Sequence, residues 1–108
     1  MKSKLTLRKN PTLSDFQEYI EQMIHERGFE DETIPELFML LLEECGEIAK
    51  AARKSTNIKV DVNSKDGNLS HEIADVFEYL LAICNKFNIN LEQAFREKEE
   101  INKSRTWQ

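Results

Sequence analysis

The chain has 108 residues, with 15 Lys and Arg against 20 Asp and Glu and a formal net charge of −5. A chain of this length is one domain that buries only about two-thirds of its unfolded surface, so association with further copies is a natural way to enlarge the core. The acidic balance argues against a nucleic-acid duplex or an anionic membrane as partner, since both call for a basic surface, and an anionic substrate would need a cation to offset it. The longest apolar run, Leu37 to Leu42, is far too short to cross a bilayer, and Met1 to Asn10 lacks the apolar centre of a secretion signal; both read as cytoplasmic.

Residues 1–11 are polar and basic without a period, and read as a flexible segment ahead of a helical domain over 12–108. A first helix is expected from Thr12 or Ser14 to Arg27, with Phe16, Ile20, Met23 and Ile24 as its apolar stripe and Gly28 as its stop. Residues 29–33 read as an acidic turn. A second helix, with Pro35 early in it, runs to about Lys54. Gly46 inside this helix costs about 1 kcal/mol relative to Ala, which suggests close approach of another helix or of a ligand. Residues 55–68 read as a polar loop in which Ile58, Val60 and Val62 alternate like a short extended piece. A third helix runs from Asn68 or Ser70 to Phe87, and Asn90 with Gln93 signals the start of a fourth. Cys45 and Cys84, without CxxC spacing and inside helices, read as reduced core or near-core residues.

Two helices depart from the apolar pattern in the same way. On the second, Ile34, Leu37, Leu41, Glu44, Ile48, Ala51 and Ala52 recur at helical spacing, which sets Glu44 in the middle of the stripe and Glu47 at its edge. On the third, Glu72, Val76, Tyr79, Leu80, Ile83 and Phe87 share a face with Asp75 at the margin, so both helices are expected to aim acids at the core. Unpaired buried carboxylates cost several kcal/mol, and the sequence offers no buried His or Arg near Glu44 to compensate. Facing pairs at i,i+3 would converge four carboxylates on one point, which suits Mg²⁺, Mn²⁺ or Ca²⁺. Zinc would call for Cys or His at ligand spacing, and di-iron sites for Glu-x-x-His pairs; neither pattern is present.

On the fourth helix the apolar face of Leu91, Ala94 and Phe95 continues as Lys98, Asn102 and Arg105. This is either a solvated helix end, where basic residues suit the dipole, or a stack of phosphate ligands at i,i+4,i+7.

The motif Glu43-Glu44-x-x-Glu47 followed by Glu72-x-x-Asp75 resembles the EExxE…ExxD signature of the MazG-like, all-α nucleoside triphosphate pyrophosphohydrolases, and Lys98-x-x-x-Asn102 extends the likeness over roughly residues 12–107. The resemblance implies that Glu44, Glu47, Glu72 and Asp75 bind catalytic Mg²⁺, with Mn²⁺ able to serve, and that Lys98 and Asn102 approach the phosphates. Asp75-Val76-x-x-Tyr79 is similar to the dCTP pyrophosphatase branch and implies that Tyr79 packs on a base, with Phe29 as a second aromatic contact. Arg53 and Lys54 stand where some relatives carry aromatics, so base preference does not carry over. Family members assemble as dimers or tetramers.

The expectation is therefore an all-α, four-helix-type domain that associates and splits a nucleoside triphosphate into monophosphate and pyrophosphate. Glu43 would orient the attacking water or support the ligands, and Lys98 or Arg105 would assist the departing pyrophosphate. Two other readings use the same residues: a phosphoribosyl-ATP pyrophosphohydrolase, and a non-catalytic helical module whose acids pair with Lys or Arg.

Overall fold

The computed structural model describes residues 2–56, 58–59, 61–63 and 67–107. Among these there are four helices and no strand: α1 (Leu13–Arg27), α2 (Ile34–Ser55), α3 (Leu69–Lys86) and α4 (Leu91–Lys103). The expected extended piece depends on Val60, which lies outside the described residues; Val62, near it, sits in a turn and is exposed. No helix is long and apolar enough to cross a membrane among the described residues.

The chain forms two compact units, one of residues up to 31 with those from 84 onward, the other of Glu32–Ile83. In the first, Thr12 starts α1 through a reciprocal capping box: its Oγ1 accepts from the Asp15 N–H (3.1 Å), while its own N–H donates to Asp15 Oδ2 (2.8 Å). Gly28, at φ 75°, ends the helix in the left-handed conformation that costs a residue without Cβ nothing. The Gln17 side chain then ties α1 to the far end of α3 and the turn beyond it. Its Nε2 donates to Asn85 Oδ1 (3.0 Å) and to the Ile89 carbonyl (2.8 Å), its Oε1 accepts from the Leu91 N–H (2.9 Å), and Asn85 Nδ2 donates to the Gln17 carbonyl (2.9 Å). Ile20, Met23 and Cys84 are buried in this unit, and α1 packs on α4.

In the second unit α2 begins with another capping box, Thr33 with Glu36, and Pro35 lies in its first turn. Its inward stripe is the expected one: Leu37 and Ala51 are buried, and Ile34, Leu41, Glu44, Ile48 and Ala52 half-buried. On α3 the burial differs from expectation. Leu81 and Ala82 are buried, whereas Leu80 is 43% exposed, and Phe87 lies beyond the helix end and is also exposed. At about 100° per residue Leu81 stands opposite Glu72 while Ala82 falls on the Asp75 side, so the later turns of α3 bury a face that only Asp75 borders. Among the described residues no charged side chain is fully buried. The acids therefore line a partly open face rather than a sealed core. Cys84 is a buried thiol as expected, but Cys45 is exposed; both are free.

Candidate metal centre

Glu44 projects from the middle of α2, where the capped start and the apolar stripe settle the rotation of the helix. Glu72 and Asp75 come from the first two turns of α3. That start is held by Asn68, whose Oδ1 accepts from the His71 N–H (3.2 Å) and whose carbonyl accepts from the Glu72 N–H (2.9 Å). The three half-buried acids each offer one carboxylate oxygen, and these oxygens lie within 4.8 Å of one another. Partial burial, a hydrogen bond shared with Glu72 and the negative charges of Asp75, Glu72 and Glu43 push the Glu44 carboxyl up to about 7, from an ordinary 4.5.

Like charges this close repel, and a cation among them would turn repulsion into attraction. The donor set fits such an ion. All donors are hard oxygens, with no Cys or His in the group, and oxygens about 2.1 Å from one octahedral Mg²⁺ stand about 3 to 4 Å apart, within the spacing found.

The other expected residues are placed less closely. Glu47 is half-buried one turn along α2 and lies outside the group of three, and Glu43 is exposed. Tyr79, half-buried one turn beyond Asp75, has its hydroxyl pKa raised by burial and by the charges of Glu32, Glu44, Asp75 and Glu43. Phe29, Lys98, Asn102 and Arg105 belong to the first unit. Phe29 and Lys98 are exposed, and Asn102 is half-buried, its Oδ1 shielded and accepting no hydrogen bond from the described residues. The helix closes at Lys103, so Arg105 falls in the turn after it and the stacked i,i+7 register expected of it does not hold. A Cβ added at Gly46 meets nothing within 4 Å among the described residues, so the helix half of that expectation is not met there.

Sequence reasoning passed over Glu32 and Gly67. Glu32 was legible only as part of an acidic turn, although its charge reaches Tyr79. Gly67 read as a loop glycine, although it lies against Glu72.

Among the described residues the fold is all-α, and two of its helices gather three carboxylates that could hold a hard cation. Residues 32–106 match the MazG nucleotide pyrophosphohydrolase domain, and the chain belongs to that family of hydrolases. Among solved structures it is similar to YPJD of Bacillus subtilis, provisionally described as a pyrophosphatase, at 22% identity and TM-score 0.75 over 92% of this chain and 100% of that one. It is also similar to iMazG from Vibrio DAT 722, at 28% identity and TM-score 0.61, in two crystal structures covering 85% and 90% of this chain and 98% and 99% of those. Among curated proteins none matches it significantly.

Proposed function

We propose that this protein hydrolyses a nucleoside triphosphate to the monophosphate and pyrophosphate, with Mg²⁺ as its cation and Mn²⁺ able to replace it. The observation that carries this reading is the meeting of Glu44, Glu72 and Asp75 within 4.8 Å in a chain of a nucleotide pyrophosphohydrolase family. Those three acids hold the cation, and Glu47, one turn from Glu44, completes the set. Once bound, such an ion offsets charge on the phosphoryl oxygens and lowers the pKa of a coordinated water. Glu43, exposed beside Glu44, orients the attacking water. Lys98, Asn102 and Arg105 hold the phosphates and favour departure of pyrophosphate. Tyr79 stacks on the base, and Phe29 adds a second apolar contact.

We also propose that the chain works as a homo-oligomer. Phe38, Met39 and Leu42 form an exposed apolar stripe on α2, with Met39 and Leu42 each 69% exposed. This stripe lies on a different face of the helix from Leu37, Leu41, Glu44 and Ile48. A short chain that leaves so much apolar surface uncovered gains by pairing it with a second copy.

The test is pyrophosphate release from a panel of ribo- and deoxynucleoside triphosphates and phosphoribosyl-ATP in the presence of Mg²⁺. Release from a nucleoside triphosphate is expected; release from phosphoribosyl-ATP alone would transfer the assignment to that substrate, and release from none would overturn hydrolysis. Asp75→Asn should lower both metal affinity and turnover. Lys98→Ala should weaken nucleotide binding by about 1.5–3 kcal/mol and leave metal affinity without nucleotide unchanged. An unchanged KM and kcat in Lys98→Ala would remove α4 from the phosphate site.

A further inference from the structure

We infer that Gly67 is a positioning residue for Glu72: the missing side chain at the exit of the loop leaves the Glu72 carboxylate its place beside Glu44 and Asp75. The inference rests on the reading that these acids hold a divalent cation. A Cβ added at Gly67 would overlap Glu72 Oε1 and would stand 3.0 Å from its Cδ and 3.1 Å from its Cγ. The obstacle to a side chain at this point is the Glu72 side chain itself.

The backbone has little room to retreat. Asn68, the next residue, accepts the Glu72 N–H on its carbonyl (2.9 Å) and the His71 N–H on its Oδ1 (3.2 Å), and its Oδ1 also accepts the Ser70 hydroxyl. The end of the loop and the first turn of α3 are thus one hydrogen-bonded piece. An added methyl group would displace the carboxylate end of Glu72, which is flexible, rather than the backbone that bears it. Gly46 makes the contrast within the same unit: a Cβ there meets nothing.

The test is Mn²⁺ binding by the full chain without nucleotide, read from the electron paramagnetic resonance signal of free Mn²⁺ and from the Mn²⁺-induced rise in melting temperature. In Gly67→Ala the metal-free melting temperature should stay close to wild type, while Mn²⁺ affinity falls about 10- to 100-fold, the range for residues that orient a ligand. Glu72→Asp, one methylene shorter, removes the atom that the added methyl would overlap, Oε1. Its cost in affinity should therefore be smaller in the Gly67→Ala background than in the wild type, since residues in contact are not additive. Wild-type Mn²⁺ affinity in Gly67→Ala, or strictly additive losses in the double variant, would overturn the inference and leave the metal site standing. A collapse of the metal-free melting temperature would also overturn it, by making Gly67 part of the scaffold. Absence of Mn²⁺ binding by the wild-type protein would instead overturn the metal reading, and this inference with it.

Discussion

Glu44 carries a pH dependence whose sign follows from its surroundings. Its carboxyl sits at about 7 in the folded chain against an ordinary 4.5, so the folded state binds this proton more tightly than the unfolded state does. The metal-free protein should therefore gain stability as pH falls from 7 towards 4.5, and should carry the full penalty of the charge above 7. A divalent cation needs the carboxylate ionised, so metal affinity should weaken over the same window. Thermal melts at pH 8 and pH 6, with and without Mg²⁺, check both directions. Glu44→Gln should melt higher than wild type at pH 8 without metal and lose most of the Mg²⁺ response; a Gln variant that melts lower would show that the acids stabilise the apo fold. Gly46 offers a second check at this scale. With open space around the site of its missing Cβ, Gly46→Ala should stabilise the isolated chain by up to about 1 kcal/mol through helix propensity. A lower melting temperature would point to a second copy approaching the helix at this position.

At the scale of elements, the first unit depends on one amide. Gln17 makes three side-chain hydrogen bonds, to Asn85, the Ile89 carbonyl and the Leu91 N–H, bridging α1, the end of α3 and the start of α4. Truncation leaves Asn85 Oδ1 and the Leu91 N–H partly buried and without Gln17, so Gln17→Ala should cost about 2–3 kcal/mol, visible as a lower urea midpoint. Gln17→Glu tests the same link from the other side, because a carboxylate can accept from the Leu91 N–H but cannot donate to Asn85 or Ile89. It should recover only part of the loss. A wild-type midpoint in both variants would show that apolar packing by Ile20 and Met23 holds α1 without the amide.

For the whole molecule, apolar surface sets the expectation. Seven apolar side chains are buried among the described residues, while Phe38, Met39, Leu42, Ile73, Phe95 and Trp107 are among those left exposed. So small a core is marginal for a chain of this length. Light scattering at micromolar concentration should find a dimer or larger assembly, and Leu42→Lys, which charges the α2 stripe without touching Leu37 or Ala51, should shift it towards monomer. A stable wild-type monomer would overturn the assembly.

Local chemistry determined much of this protein before any folding was considered. The apolar period and the caps placed the first three helices and the start of the fourth to within a residue or two, because an inward stripe must repeat with the helix and Thr12, Gly28, Pro35 and Asn90 act on their immediate neighbours. The i,i+3 spacing of Glu72 and Asp75 already put them on one face, and the stripe around Glu44 settled the side of α2 it occupies. The Thr33 cap went unread because the acidic composition of residues 29–33 masked it, although its Glu36 partner was in plain view. Spacing along a chain cannot say which flank of a helix another helix covers. Hence Leu80 and Cys45 proved exposed, Leu81 and Ala82 took the buried flank of α3, and Glu47 stayed outside the group that Glu44 joins. The approach of Gly67 to Glu72 was equally invisible in the sequence. It depends on where the end of a loop returns against the first turn of a helix, and only the folded backbone decides that distance.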